Sequence, residues 1–232
     1  MTAVTAEQRG VPAPTARAVE AVIFDLDGTL LDTEPLYRDA FQAAAQVFGR
    51  SVDHDLYVTL IGMATPDRMA RLGEAFGGDF PLGDFLSEYY RQKQRRLCGA
   101  IPLKPGAKPL LAYLDQRRIP AAVATASSHA TAARHLKQAG LADCFRTIAT
   151  RDHVSRRKPH PDLFLHTARC LRAEPAACLV LEDSAPGIEA AHAAGMLPVL
   201  VPDLAPVPDE VRRKSFAVLP DLHGVGALLA KT

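Results

Sequence analysis

Residues 21–34 read AVIFDLDGTLLDTE: a short apolar run, two aspartates separated by one leucine, a glycine and a threonine. The run from Ala21 to Phe24 is brief and carries branched side chains, which reads as a strand buried on both faces. Residues two apart in an extended chain point the same way, so Asp25 and Asp27 share a side while Leu26 turns into the core. Gly28 permits a sharp turn or a close approach of another group. Two carboxylates about 4 Å apart repel by about 4 kcal/mol at an effective dielectric of about 20. A buried strand that ends on such a pair needs positive charge beside it.

Four more apolar runs of strand length follow: PAAVAT (120–125), RTIAT (146–150), ACLVLE (177–182) and LPVLV (197–201). Helical patterns separate them, with Leu110, Leu111 and Leu114 on one face and Leu163, Phe164, Ala168 and Leu171 on another. Pro161 and Pro186 suit first turns, and Gly140 and Gly195 stand where helices should stop. This alternation predicts an α/β fold, a doubly wound, mostly parallel Rossmann-like sheet of about five strands.

Residues 35–100 break the rhythm. EPLYRDAFQAAAQVFG, TPDRMARLGEAFGG and PLGDFLSEYYRQKQRRLCG are amphipathic helical patterns with no convincing strand between them. The expected organisation is a mobile leader at 1–18, an α/β core from 19–34 and 101–232, and a small helical cap at 35–100 inserted after the first strand. The proline-dense PLKPGAKP (102–109) reads as the hinge back.

Several function classes are disfavoured by composition. The 27 Lys and Arg against 26 Asp and Glu leave no global field to draw in nucleic acid or an anionic membrane. No stretch reaches signal-peptide or membrane-spanning length, so a cytoplasmic protein is expected, acting on a small molecule as a monomer or small homo-oligomer. An apolar fraction of 48% supplies a core large enough for the chain to fold alone. Cys98, Cys144, Cys170 and Cys178 form no C-x-x-C pair and read as reduced core thiols.

Ligands of an open α/β sheet bind beyond the carboxyl ends of its strands, so the residues after each run carry the functional signal. Asp25 and Asp27 follow the first run, and Thr125, Ser127 and Ser128 end the second. Lys158 lies in the loop after the third, and Glu182, Asp183 and Ser184 end the fourth. Taken singly, each has a plain structural reading: an Asp-Gly turn, a β-branched strand residue, a helix cap, a solvated lysine. Taken together they converge on one crevice. Its carboxylates require a cation, and hard oxygen ligands joined by a substrate phosphate suit Mg²⁺ better than zinc. The basic residues at 91–96 read as a solvated helix face, and His129 and His135 as exposed helical positions. No H-E-x-x-H, G-x-S-x-G or G-x-x-x-x-G-K-[ST] pattern is present.

In order, the clusters are D-x-D-G-T, T-A-S, K-P-x-P-D and E-D-S-x-x-G. Over residues 19–230 this closely resembles the haloacid dehalogenase superfamily, in the branch of β-phosphoglucomutase and small-molecule phosphatases with a helical cap. The resemblance implies a Mg²⁺-dependent phosphatase acting on a small phosphorylated metabolite, with Asp25 as the nucleophile that becomes an aspartyl phosphate. Asp27 is then the acid and base, giving the metal its backbone carbonyl. Asp183 and Glu182 complete the metal site with Asp25 and Asp27, and Thr125, Ser127 and Lys158 bind the phosphoryl group. An aspartate at position 27 favours phosphate esters over halide release, which needs no proton. It also sets the chain apart from the superfamily's transport ATPases, which carry threonine there.

The runner-up is a β-phosphoglucomutase-type mutase. Where those enzymes carry a histidine, a lysine and an arginine that hold sugar and phosphate, this chain has Tyr37, Ile61 and Thr65, which favours hydrolysis over transfer. Arg68, Arg71 and Arg91 are the cap arginines available as substitutes, and the loop IGMATP (61–66) is the candidate substrate-reading surface. A catalytically silent binding protein is the competing class, and the full set Asp25, Asp27, Thr125, Lys158 and Asp183 argues against it.

Overall fold

The structure, a computed structural model, describes residues 19–61, 63 and 65–231, with no account of the Thr65 side chain. The expected leader at 1–18 and Gly62 and Ala64 of the 61–66 loop lie outside the described residues.

A six-stranded parallel sheet runs in the order β3-β2-β1-β4-β5-β6. Its strands are β1 (Ala21–Phe24), β2 (Ala121–Thr125), β3 (Thr147–Thr150), β4 (Cys178–Glu182), β5 (Leu197–Leu200) and β6 (Ala217–Val218). The sequence reading finds five of them to within a residue or two. The sixth, β6, is only two residues long with an exposed Val218, too short to leave an apolar run.

Alternation along β1 builds the two layers. Val22 and Phe24 pack with Leu110, Leu111 and Leu114 of α5 (Ala107–Gln116), Leu136 of α6 (His129–Gln138) and Val225 of α10 (His223–Leu229). Ala21 and Ile23 pack on the other face with Leu163, Phe164 and Ala168 of α7 (Asp162–Leu171) and Ala190 and Ala191 of α8 (Ala185–Ala193). The short α9 (Asp209–Arg212) lies between β5 and β6 in the chain. Among the described residues no helix is long and apolar enough to cross a membrane.

Between β1 and α5 the chain forms α1 (Glu34–Val47), α2 (His54–Leu60), α3 (Thr65–Phe76) and α4 (Leu82–Arg96). These helices have their own apolar cluster, centred on Phe41, whose ring meets Phe85 at 5.0 Å and Tyr89 at 5.3 Å in edge-on geometry. Helix α2 was not anticipated. Its HDLYVTL stretch is short and includes β-branched Val58 and Thr59, and it is fixed by Asp53, whose side chain accepts from the Leu56 N–H.

Three further expectations are corrected. Cys98, Cys144 and Cys170 are exposed and only Cys178 is buried; all four are free thiols. Cys170 lies on the outward face of α7, while Leu163, Phe164, Ala168 and Leu171 turn inward. His135 is fully buried, because Ala132, His135 and Leu136 form the inward stripe of α6. Lys93 does not belong to a solvated face: its ammonium sits 3.3 Å from the centre of the Tyr37 ring.

Candidate active site

The carboxyl ends of β1, β2 and β4 meet at the point where strand order reverses around β1, which is where an open α/β sheet leaves a crevice. Asp25 follows β1 directly, held by its N–H donating to the Leu181 carbonyl at 2.9 Å. The Lys158 ammonium donates to Asp25 Oδ1 at 2.6 Å, to Glu182 Oε1 at 2.6 Å and to the Ala124 carbonyl at 3.0 Å. All three of its protons are thus used. Burial works to lower the pKa of Lys158, but the Asp25 and Glu182 charges outweigh it and hold the lysine above its usual value. Burial pushes Asp25 up to about 7, against the pull of Lys158 and with help from Glu182 and Asp27.

Glu182 is fully buried, and its second oxygen accepts from the Ser184 N–H at 2.9 Å and the Ser184 hydroxyl at 2.8 Å. Both of its oxygens are therefore engaged by protein donors, Oε1 by the Lys158 ammonium and Oε2 by Ser184. Ser184 also caps α8, accepting from the Gly187 N–H at 3.2 Å. A Cβ at Gly187 would overlap the Glu182 carboxylate. Gly187→Ala is accordingly expected to destabilise the fold by about 1–3 kcal/mol, because Glu182 is pinned and cannot yield. Urea unfolding measures this, and a loss below about 0.5 kcal/mol would show that the carboxylate has room to move.

Asp27 is gripped by hydroxyls. Thr33 donates to Oδ1 at 2.9 Å and Tyr37 to the same oxygen at 2.7 Å, while Ser127 donates to Oδ2 at 2.9 Å. Thr125 is buried, and its hydroxyl accepts from the Ser127 N–H at 3.0 Å. The Asp183 Oδ1 accepts from Thr29 at 2.8 Å, and burial together with the Glu182 and Asp25 charges pushes the group well above the usual carboxylate range. Gly28, at φ +87°, lets the chain pass close by: a Cβ there would stand 2.5 Å from Asp183 Oδ2 and 3.1 Å from Asp203 Oδ2.

Sequence reasoning missed two residues here. Asp203 follows β5 in the loop; its Oδ1 pairs with Lys104 at 2.8 Å, and its Oδ2 is buried with no partner among the described residues. Its position after the fifth apolar run was the available signal. His135 Nδ1 lies 3.9 Å from Asp27 Oδ1, and neither ring nitrogen has a hydrogen-bond partner among the described residues.

Asp25, Asp27, Glu182, Asp183 and Asp203 thus surround a site whose nearby ammonium groups are Lys158 and Lys104. The raised carboxyls and the orphaned Asp203 Oδ2 beside Asp183 Oδ2 are short of positive charge, which fits a hard divalent cation. Among the described residues no group of three ligating side chains stands ready-made.

A cavity of about 180 Å³ adjoins Tyr37, lined by Glu34, Phe41, Tyr57, Arg68 and Lys93 among others. Burial pushes Glu34 up to about 7, partly opposed by the Tyr57 hydroxyl that donates to it at 3.2 Å. A carboxyl raised on folding costs stability as pH climbs from its unfolded value near 4.5 to its folded value near 7, and the cost is constant above that. Glu34→Gln should remove up to about 2–3 kcal/mol of this penalty at pH 8 and nothing near pH 4. Unfolding curves at the two pH values test it, and an equal effect at both would contradict the assigned cause. Met63 packs half-buried against the helical cluster, and Ile61 lines the cavity.

Comparison with known proteins places this geometry. A haloacid dehalogenase-like hydrolase family profile matches residues 19–195. A phosphorylated carbohydrates phosphatase of Thermotoga maritima is 33% identical over 178 residues, covering 77% of this chain and 82% of that protein. Among solved structures, a hydrolase of the same family from Deinococcus radiodurans R1 with bound phosphate and sodium is similar, with a TM-score of 0.79 and 29% identity over 91% of this chain and 95% of that one. A β-phosphoglucomutase from Clostridium difficile matches with a TM-score of 0.69 and 26% identity over 89% and 93% of the two chains. The chain therefore belongs to the haloacid dehalogenase-like hydrolases, in the branch that includes small-molecule phosphatases and β-phosphoglucomutase-like proteins.

Proposed function

We propose that this protein is a Mg²⁺-dependent phosphatase that hydrolyses a small phosphate monoester through an aspartyl phosphate on Asp25. The observation that carries the reading is the pairing of Asp25, bound through one oxygen to a buried lysine, with an Asp27 held by three hydroxyls. The similar Deinococcus hydrolase with phosphate and a cation bound supports it.

Asp25 Oδ1 is engaged by Lys158, which leaves Oδ2 to attack phosphorus. As the ester P–O bond breaks, Asp27 gives its proton to the departing alkoxide. Asp27, now a carboxylate, takes a proton from water, whose oxygen attacks the same phosphorus and breaks the bond to Asp25. Thr33, Tyr37 and Ser127 keep the Asp27 carboxyl in one orientation through both proton transfers. Lys158 offsets charge on the nucleophile and phosphoryl group, with the Thr125 and Ser127 segment completing the phosphate cradle. Asp25, the Asp27 carbonyl and Asp183 would hold Mg²⁺, with Asp203 as a further candidate beside Glu182, which also orients Lys158. When bound there, the metal would supply charge neutralisation at the phosphoryl oxygens. The helices at 35–100 act as a cap that excludes bulk water.

A mutase reading is favoured by one observation: Arg68 and Lys93 bring positive charge to the cavity above Asp27, which the comparison of Tyr37, Ile61 and Thr65 alone does not reveal. Inorganic phosphate release from a panel of monoesters with Mg²⁺ and with chelator decides. Metal-dependent release supports the phosphatase. Conversion of β-glucose 1-phosphate with a bisphosphate primer, without net release, supports the mutase.

A further inference from the structure

The cavity beside Tyr37 carries more positive charge than its own residues neutralise. Arg68, in the first turn of α3, spends Nη2 on the Met63 carbonyl at 3.1 Å, and its Nε is buried with no partner among the described residues. Lys93, from α4, rests on the Tyr37 ring and makes no ion pair among the described residues. A cation over an aromatic face gains attraction, yet the ring does not satisfy three N–H donors. The cavity's carboxyl, Glu34, is turned to Tyr57 and is pushed up to about 7, so it is only partly charged at neutral pH. Both side chains are half-buried, Arg68 with a buried, unpartnered Nε, and two cations that face one void with no carboxylate paired to either among the described residues suit an anion.

Its position and size narrow the anion. Tyr37 lines the cavity and also donates to Asp27 Oδ1 at 2.7 Å, so the cavity lies where the leaving group of an ester held at Asp25 must extend. A volume of about 180 Å³ equals roughly six waters at about 30 Å³ each, enough for a few carbons with a carboxylate or for a phosphate group.

We propose that this cavity is a second-anion subsite, and that the preferred substrates are small phosphate monoesters whose leaving group carries a carboxylate or a second phosphate, bound by Arg68 and Lys93. The inference rests on the phosphatase reading above and names its substrate class.

The test compares kcat/KM within two matched pairs: 3-phosphoglycerate against glycerol 3-phosphate, and fructose 1,6-bisphosphate against fructose 1-phosphate. The charged member of at least one pair is expected to be favoured by about tenfold or more, and the pair that shows it tells carboxylate from phosphate. Lys93→Met and Arg68→Gln should each shrink that ratio severalfold, mainly through KM, and Arg68→Lys should restore part of it. Ratios at or below one in both pairs overturn the proposal even if no variant folds, as does a ratio that neither variant moves. Release from no ester at all, with Mg²⁺ present, instead overturns the phosphatase reading and the inference with it.

Discussion

Asp25→Asn is expected to lower phosphate release by about 10⁴-fold or more, which is about 5.5 kcal/mol of transition-state stabilisation. An amide oxygen is a poor nucleophile toward phosphorus and cannot form the acyl phosphate, so the two-step route closes. The fold should survive. The asparagine carbonyl can still accept from Lys158, now at 2.6 Å from Asp25 Oδ1, and the change removes a carboxyl that burial pushes up to about 7 beside the Glu182 and Asp27 charges. The thermal midpoint should therefore stay level or rise by a few degrees. Lost activity at an unchanged midpoint assigns the nucleophile. Activity above about 1% of the parent would remove Asp25 from that role.

Lys158→Met should be the most damaging single change to stability. Methionine keeps an apolar stem near the Phe164 ring, where the ammonium now sits 4.8 Å from the centroid, but it withdraws the cation from Asp25 and the fully buried Glu182. Breaking a buried pair by removing one partner typically costs about 3–5 kcal/mol, or roughly 6–20 °C in a chain of this size. The sign of the pH dependence is fixed. Without Lys158 nothing opposes the burial that already pushes Asp25 up to about 7, and a raised carboxyl costs stability as pH rises above its unfolded value. The gap between variant and parent should be wider at pH 8 than at pH 5. A gap that does not change between these values would mean that lost packing, not lost charge, is responsible.

Which features are legible in the sequence follows from what each rests on. Strands β1, β2 and β4 are buried at every position and β5 at all but Leu197, so they leave continuous apolar runs; β3, half-buried at Thr147 and Ile148, is marked by its branched residues, and β6 has one half-buried and one exposed residue and leaves no run. Asp25, Asp27, Lys158 and Asp183 stand at strand ends or in the loops after them, where a topological rule singles them out before any contact is known. That same rule, carried to the fifth strand, would have reached Asp203. Lys93 is different in kind. A lysine among arginines on an amphipathic helix looks solvated, and only tertiary packing, which lays Tyr37 beneath it, turns it into the cavity. His135 falls between these cases: Ala132 and Leu136 mark an inward stripe that includes it, but polarity argues the other way and the packing overrides it. The hydrogen-bond partners of Glu182 were equally out of reach, since its identity says carboxylate while only packing brings Lys158 to one oxygen and Ser184 to the other.

The central claim is that Asp25 carries the phosphoryl group between two displacements. The most direct test is to quench the enzyme with acid while it turns over a hydrolysed monoester with Mg²⁺, and to weigh the peptide that contains Asp25. The account predicts a fraction of that peptide heavier by one phosphoryl group, absent in Asp25→Asn and discharged when turnover is allowed to finish. Rapid phosphate release from an enzyme that never carries the group on Asp25 would contradict it.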